Sequence, residues 1–496
     1  MEQPLSRLAE FDFADVEKLV ELAELRYREL LEFEKPNVIL CDRDPVQFLA
    51  GFVAACSVPC HVFLCNPDWG KSEWKQVAEL VQPDLVWGAS GELFESPRSL
   101  SSPAPKCETS DELFGRSRSS HSPAPEWNSG LTEQSPLQWT KDKLKPSLQS
   151  VSNGLRTDRP EFYSGAIPKR SEPTVSTLIM IPTGGTSGKV RFAMHTWETL
   201  SASVQGFRQY FEVDRINSFC VLPLYHVSGL MQFMRSFLTN GKFIIQSWKT
   251  LDTQFDPQDF FISLVPTQLQ QLMNHADWLA KFKTILLGGA PAWSHLLEEA
   301  RSRNLPIAPT YGMTETASQI STLKPADFLD GIQGCGQVLP HAAIKITDQK
   351  LSIQAKSLML GYYPNLLTEP KFDPDDLGYF DDRQFLHLIG RDSNKIISGG
   401  ENIFPSEVES ALRSTNLIQD VHVLGTPDPI WGQAVTAIFV PDQEITIDEI
   451  KLELRSRLAA FKHPKHWIKV EQIPRSAQGK IKLDRIKEII KLSEHL

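Results

Sequence analysis

Short apolar runs of three to five residues, rich in β-branched side chains, recur along the chain between segments long enough for a helix. Runs of this length and composition are typical of buried strands. Strands that alternate with helices predict an α/β fold. A helix is expected over residues 45–55, and the candidate strands are 37–41, 177–181, 219–222, 243–245, 261–265 and 284–287.

The chain is too long for one domain, because a single hydrophobic core rarely serves more than roughly 250–300 residues and this sequence has 496. A boundary is indicated near residues 389–395. After it come a helix at 406–414 with Ser406 as its expected cap, strands at 421–424 and 435–440, and a helix at 447–458. We predict a large N-terminal α/β domain at 1–390 and a small C-terminal α+β domain at 391–496.

Residues 97–173 interrupt the apolar pattern. Ser and Pro supply 25 of these 77 positions, and Ser-Pro-Ala-Pro occurs twice. Such a segment buries too little apolar surface to offset the entropy lost on ordering. We interpret it as a poorly ordered insertion without a catalytic role.

The bulk properties exclude several classes of function. A net charge of −10 argues against general binding of nucleic acid or anionic membranes. No stretch approaches the ~20 apolar residues of a membrane span, and the first residues lack a secretory pattern. The seven scattered cysteines are interpreted as buried apolar residues of a cytoplasmic protein. The oligomeric state is not indicated.

A loop rich in glycine and hydroxyl side chains follows the candidate strand at 177–181. Its glycines let backbone N–H groups approach an oxyanion closely, its hydroxyls add donors, and its lysine adds charge. The spacing does not match the Walker pattern GxxxxGK[ST], which disfavours a P-loop NTPase. The candidate phosphate-binding residues are Thr183, Gly184, Gly185, Thr186, Ser187, Gly188 and Lys189.

This loop resembles the T-S-G-T-T-G-x-P-K-G motif of the adenylate-forming superfamily, which includes the acyl-CoA synthetases. The departures are Gly184 for Ser, Ser187 for the second Thr, and residues 190–192 in place of Pro-Lys-Gly, which moves the basic residue to Arg191. Five further motifs follow in the superfamily's order, and the resemblance covers roughly residues 35–95 and 175–485. It implies a multi-layer N-terminal domain joined by a hinge to a small mobile domain.

The resemblance assigns roles to these motifs residue by residue. Binding of ATP falls to Gly289, Ala290, Tyr311, Gly312, Met313, Thr314, Asp376 and Arg391, and binding of Mg²⁺ to Glu315. Pro374 and Asp375 replace the superfamily's Thr-Gly before Asp376, so Asp375 remains an alternative as the ribose contact. Thr314 and Lys480 would act in catalysis, Ser393 as the hinge, and Ser398, Gly399 and Gly400 would line the tunnel for coenzyme A.

Within the superfamily, three segments resemble the o-succinylbenzoate–CoA ligases of menaquinone and phylloquinone synthesis: 191–200, 223–229 and 398–403. The implied acid pocket contains Gly288, Thr267, His226 and Arg235, and His226 would also act in catalysis. Arg235 lies in an apolar stretch, where a charge is costly unless it meets an anion. It could bind a second carboxylate of the substrate, extend its guanidinium to water at the surface, or pair with a structural carboxylate. His226 could equally be a hydrogen-bonded core residue.

The resemblance implies an AMP-forming acid–thiol ligase that uses ATP, Mg²⁺, coenzyme A and a small carboxylic acid. Alternatives are a ligase for another aryl or medium-chain acid, an adenylation enzyme that loads a carrier protein, and a nucleotide-binding protein without activity. The presence of Thr314, Glu315, Asp376, Arg391 and Lys480 argues against the last of these alternatives.

Overall fold

The computed structural model describes residues 4–88, 177–184, 189–475 and 481–493. All of these belong to one compact unit formed by residues 1–97 and 160–496. The predicted insertion at 97–173, loop residues Gly185, Thr186, Ser187 and Gly188, and Lys480 lie outside the described residues. Within the described ranges, no helix is long and apolar enough to cross a bilayer.

The α-helices are α1 Pro4–Arg7, α2 Val16–Leu30, α3 Pro45–Ala55, α4 Lys71–Val81, α5 Trp197–Phe211, α6 Val227–Leu238, α7 Pro266–Leu272, α8 Ala276–Leu279, α9 Ser294–Ser302, α10 Pro325–Leu329, α11 Pro405–Arg413, α12 Ile447–Leu454 and α13 Leu483–Ser493.

The strands are β1 Asn37–Leu40, β2 His61–Leu64, β3 Leu85–Trp87, β4 Leu178–Gly184, β5 Val190–His195, β6 Asn217–Cys220, β7 Phe243–Ile245, β8 Phe260–Leu264, β9 Thr284–Leu287, β10 Ile307–Met313, β11 Ser318–Thr322, β12 Gln337–Val338, β13 Ala342–Thr347, β14 Lys350–Ala355, β15 Gly361–Tyr362, β16 Asn365–Leu366, β17 Asp376–Phe380, β18 Leu386–Arg391, β19 Ile396–Ser398, β20 Glu401–Ile403, β21 Ile418–Asp428, β22 Gly432–Pro441 and β23 His466–Lys469.

These strands form four sheets. Sheet 1 has the order β16-β15-β5-β4-β2-β1-β3, and sheet 2 has the order β12-β11-β10-β9-β8-β6-β7. Sheet 3 is β13-β14-β17-β18, and sheet 4 is β20-β19-β22-β21 with β23 beside β22. Sheets 1 and 2 combine parallel strands with intervening helices, whereas sheet 4 is formed entirely after residue 395. The predicted class, a large N-terminal α/β region followed by a small C-terminal α+β region, is confirmed, and the boundary at 390 stays a prediction.

The main hydrophobic core lies where α2, α3 and α6 pack with β1, β2 and β4. The sequence of α3 explains its place there. Asp44 accepts a hydrogen bond from the backbone N–H of Gln47, Pro45 occupies the first turn, and nine of the eleven helical residues are buried. A helix buried on almost every side positions the strands beside it rigidly.

Several predicted elements match the structure closely. The helix at 45–55 and the strands at 243–245 and 284–287 have the predicted bounds. The strand predicted at 219–222 begins and ends two residues earlier, as β6. The expected cap at Ser406 is wrong, because α11 begins at Pro405 with Phe404 before it, and the Ser406 hydroxyl donates to the Ile389 carbonyl at 3.4 Å. Proline is favoured at this first position, since its missing N–H would have no helical partner.

The cysteines behave as expected where they are described. Six of the seven lie in the described residues and are free, and four of these, Cys41, Cys60, Cys65 and Cys220, are buried.

Candidate active site

The candidate acid-pocket and ATP residues of sheet 2 meet at one edge of that sheet. Strands β6, β8, β9 and β10 run parallel, so their carboxyl ends lie together. Thr267 follows β8, Gly288–Ala290 follow β9 and Thr314 follows β10. His226 lies in the loop after β6, immediately before α6. The carboxyl edge of an open α/β sheet is where such folds bind ligands.

The phosphate-loop candidates belong to a β-hairpin. Thr183 and Gly184 are the last residues of β4, paired with Arg191 and Val190 of β5, although the sequence placed them in the loop itself. Of the remaining loop residues, Lys189 is described and exposed. Strand β4 therefore ends three residues later than the strand predicted at 177–181.

Glu315 joins the hairpin to the edge of sheet 2. Its side chain is only 7% exposed, and Oε1 accepts hydrogen bonds from Tyr362 Oη at 2.5 Å and Thr183 Oγ1 at 3.3 Å. Both partners are neutral hydroxyls. No group of three His, Cys, Asp or Glu that could hold a metal ion is found within the described ranges. A single carboxylate nevertheless fits Mg²⁺, which is usually held by one or two carboxylates together with substrate phosphates and water.

The turn that carries Thr314 and Glu315 is held by its backbone. Four consecutive carbonyl oxygens, those of residues 314–317, each accept a hydrogen bond from outside the turn. In order, the donors are His195 Nε2 at 2.8 Å, Met359 N at 2.8 Å, Ser357 Oγ at 2.8 Å and Ser203 Oγ at 2.7 Å. We call this set the carbonyl clamp. It fixes the backbone of the turn without involving the side chains of Thr314 and Glu315.

His195 is fully buried, and burial lowers its pKa to about 4. The ring is therefore neutral near pH 7. Because the Thr314 carbonyl can only accept, Nε2 carries the proton, and Nδ1 accepts from Thr199 Oγ1 at 3.1 Å. The imidazole thus links the start of α5 to the turn.

One stripe of α5 faces the site. Thr199, Ser203 and Phe207 are spaced four residues apart and so lie on the same face of the helix. Thr199 contacts His195, Ser203 belongs to the carbonyl clamp, and the Phe207 ring lies 4.4 Å from the guanidinium carbon of Arg235. This helix therefore contacts both the turn that carries the ATP candidates and Arg235, a candidate for the acid pocket.

Arg235 is buried in α6, with 2% of its surface exposed. Nη2 donates to Ser318 Oγ at 3.1 Å and to Gln319 Oε1 at 2.6 Å, and Nε has no hydrogen-bond partner among the described residues. Burial lowers its pKa to about 9, which leaves it charged at neutral pH. Because Arg235 is buried, the alternative in which it reaches water is excluded. Its two hydrogen-bond partners are neutral, so neither is the structural carboxylate of the other alternative.

The ribose candidates Asp376 and Arg391 lie opposite each other, where β17 begins and β18 ends. Tyr311 Oη donates to Asp376 Oδ2 at 2.7 Å, and Arg391 Nε donates to Asp376 Oδ1 at 3.1 Å. Burial and the neighbouring Asp376 raise the pKa of Tyr311, so its hydroxyl stays protonated. Asp375 instead accepts from the backbone N–H of Ser393 at 3.1 Å. Asp376 therefore contacts Tyr311, whereas Asp375 contacts Ser393, the predicted hinge residue.

The glycine pair assigned to coenzyme A forms the turn of the β19–β20 hairpin in sheet 4. Gly399 and Gly400 have φ angles of +60° and +87°, which favour glycine. A Cβ on Gly399 would lie 2.8 Å from the Trp431 ring. Ser398, just before the turn, is buried. Substitution at Gly399 is therefore opposed by both backbone conformation and space.

Sequence patterns did not single out the residues that hold this site. His195, Ser203, Ser357 and Tyr362 were not among the candidates, although each contacts the turn at 314–317. The sequence offers only a weak signal, which is two polar residues one helical turn apart at 199 and 203. The structure shows that both are buried. Only the tertiary structure brings these segments together.

Comparisons with known proteins follow this geometry. The sequence profile described as AMP-binding enzyme matches residues 32–363, and the profile described as AMP-binding enzyme C-terminal domain matches residues 407–480. The chain is 34% identical over 332 residues to a 2-succinylbenzoate–CoA ligase of Listeria monocytogenes, covering 63% of this chain and 70% of that relative.

Two solved structures of o-succinylbenzoate coenzyme A synthetase from Bacillus subtilis are also similar. The complex with ATP and magnesium has a TM-score of 0.56 at 28% identity, over 62% of this chain and 69% of that chain. The complex with the acyl-adenylate intermediate has a TM-score of 0.71 at 21% identity, over 98% of both chains, and shows the shared fold.

Ser203→Ala tests the carbonyl clamp. The buried Ala317 carbonyl would lose its donor, so we expect the free energy of unfolding to fall by about 1–3 kcal/mol. Thermal and urea unfolding measure this change. Ser201→Ala on the same helix is the matched control, because its hydroxyl makes no hydrogen bond within the described ranges. Equal stability of the two variants would remove Ser203 from the clamp.

Two buried histidines predict how stability depends on pH. Burial lowers the pKa of His195 to about 4. The pKa of His341 is also lowered to about 4, mainly by burial and further by the charges of Arg235 and Lys356. An unfolded histidine titrates near ~6.5, so between these values the unfolded chain binds protons that the folded chain does not. The free energy of unfolding should therefore fall as pH is lowered through this window.

His341→Gln should make that pH dependence shallower by up to about one proton, measured by urea unfolding from pH 7 to pH 4. His275→Gln, at an exposed position, is the control and should leave the slope unchanged. An unchanged slope in His341→Gln would contradict the assignment.

Proposed function

The chain belongs to the AMP-binding enzyme family, and from that premise we propose that it is an AMP-forming acid–thiol ligase. It uses ATP to activate a carboxylic acid as an acyl-adenylate and then transfers the acyl group to coenzyme A. Support comes from two contacts around β10. Thr183 of sheet 1 donates to Glu315, just after β10, and Tyr311 of β10 donates to Asp376 of sheet 3.

The acid we propose is 2-succinylbenzoate, which the enzyme would convert to its coenzyme A thioester in menaquinone or phylloquinone synthesis. The relatives described above carry the name of this activity. The observation that carries the proposal is Arg235: a buried guanidinium whose hydrogen-bond partners are both neutral. A buried charge of this kind is stabilised by an anion. An acid with two carboxylates offers one to ATP and leaves the other for Arg235.

The remaining assignments are those that the superfamily resemblance implies. Residues 183–189 would surround the phosphates, Gly289, Ala290 and residues 311–313 the adenine, and Asp376 with Arg391 the ribose. Glu315 would hold Mg²⁺, which neutralises phosphate charge when bound. Gly288, Thr267 and His226 would line the acid pocket beside Arg235.

The first half-reaction needs no covalent bond to the protein. A carboxylate oxygen of the acid bonds to the α-phosphorus of ATP, the bond from that phosphorus to the bridging oxygen breaks, and pyrophosphate leaves. Thr314 would donate to the α-phosphate, and Lys480 would offset the negative charge as two anions approach each other. A turn fixed by the carbonyl clamp lets Thr314 act without reorganisation.

In the second half-reaction the thiol sulfur bonds to the acyl carbon, its proton is released, and the bond from the acyl carbon to AMP breaks. Residues 391–496 would rotate about Ser393 between the two steps, withdrawing Lys480 and bringing Ser398, Gly399 and Gly400 to the site. A Cβ on Gly400 would meet no atom within 4 Å, so this position would leave room for the narrow pantetheine arm, whereas the Trp431 ring fills the space at Gly399.

ATP–pyrophosphate exchange tests the proposal. The purified protein should exchange label with 2-succinylbenzoate and form AMP when coenzyme A is added, and should respond far less to benzoate, medium-chain acids and amino acids. Preference for any of those acids, or an absence of AMP, would contradict the proposed function.

Arg235→Lys tests the acid assignment. Lysine keeps the charge but loses the planar fork, so kcat/KM for 2-succinylbenzoate should fall about 10- to 100-fold, with a smaller effect on the KM for ATP. Arg208→Lys, whose guanidinium pairs with the exposed Asp214, is the matched control. If the variant lost activity equally with benzoate, Arg235 would not recognise the second carboxylate.

A further inference from the structure

Tyr362 lies beside the phosphate hairpin, on a strand of two residues. β15 pairs antiparallel with β5, which places Tyr362 opposite Ala193. Arg191 is two residues before Ala193 and therefore lies on the same face of the sheet, diagonal to Tyr362. Its guanidinium carbon lies 4.5 Å from the centre of the Tyr362 ring. The tyrosine ring is thus packed under the cation that replaces the superfamily's lysine.

The segment around Tyr362 holds Glu315 at two points. The backbone N–H of Met359 donates to the Glu315 carbonyl at 2.8 Å, and Tyr362 Oη donates to the Glu315 carboxylate at 2.5 Å. Thr183 donates to the same carboxylate oxygen, Oε1, from the hairpin. Both hydroxyls therefore converge on Oε1, and neither is recorded on Oε2.

We propose that Tyr362 is a positioning residue for the carboxylate that binds Mg²⁺. The inference rests on the proposed function, in which Glu315 holds that ion. A free glutamate side chain populates several rotamers. Two donors on one oxygen favour a single rotamer and leave Oε2 free of both hydroxyls for the metal ion. Tyr362 acts only through Glu315 and is not a catalytic residue.

Arg191 supports this arrangement by packing against the Tyr362 ring. A cation over an aromatic face is attracted by the π electrons, so the guanidinium holds the ring against the hairpin. The sequence has Arg191 where the superfamily has lysine, and the planar guanidinium stacks on a ring as an ammonium does not. The hairpin, the tyrosine and the metal-binding carboxylate consequently form one connected unit.

Tyr362→Phe removes a single oxygen and leaves the ring in place. We expect Mn²⁺, used as a probe for Mg²⁺, to bind the ATP complex of the variant about tenfold more weakly, because a hydrogen bond to a charged group is lost. Water-proton relaxation without acid or coenzyme A measures this binding without turnover. Binding of ATP without metal should be unchanged, and the thermal unfolding midpoint checks that the variant is folded.

Tyr363→Phe is the matched control, since it makes the same change one residue away on a ring that packs against Phe63. Unchanged binding of Mn²⁺ in Tyr362→Phe would overturn the proposal, and so would an equal weakening of ATP binding with and without metal. Because this assay uses no acid, it is decided separately from the proposed function. A wild-type protein that fails to activate 2-succinylbenzoate would refute the substrate, whereas normal binding of Mn²⁺ by the variant would refute only the role of Tyr362.

Discussion

Peptide carbonyls that leave the hydrogen-bonding pattern of helix and sheet are costly to bury unless another group donates to them. Residues 314–317 present four such carbonyls in succession, and each one has a donor from elsewhere in the fold. The donors come from β5, α5 and the loop before β15. The position of Thr314 and Glu315 is therefore set by the packing of three separate segments and not by the turn itself.

The same segment continues to Arg235, the candidate for binding the second carboxylate of the acid. Ser318 and Gln319, directly after the clamped turn, accept the hydrogen bonds of Arg235, and Phe207 of α5 covers the guanidinium. Ser318 and Gln319 thus connect Arg235 to the turn at 314–317, which carries ATP candidates. In the proposed reaction this continuity serves to align two negatively charged substrates, which positioning and charge neutralisation must bring together.

The sequence predicted much of the fold because many elements carry strong local signals. Apolar runs located β7 and β9, and the helix predicted from Pro45 to Ala55 is α3. The helix expected at 447–458 ends at Leu454. The prediction was too long because Leu458, four residues after Leu454, is also a core residue and continues the helical apolar spacing. The carbonyl clamp could not be predicted in this way. A serine or histidine that donates to a distant carbonyl has no local pattern, and its partner is defined only by tertiary structure.

The central claim is that the acid is activated at the α-phosphorus of ATP, in a site held by the carbonyl clamp. Isotope transfer during turnover tests it most directly: 2-succinylbenzoate labelled with ¹⁸O in its carboxyl groups is incubated with the protein, ATP, Mg²⁺ and coenzyme A. Mass spectrometry should find one labelled oxygen in AMP and none in pyrophosphate. Label in pyrophosphate or inorganic phosphate would place the attack at another phosphorus and contradict the account.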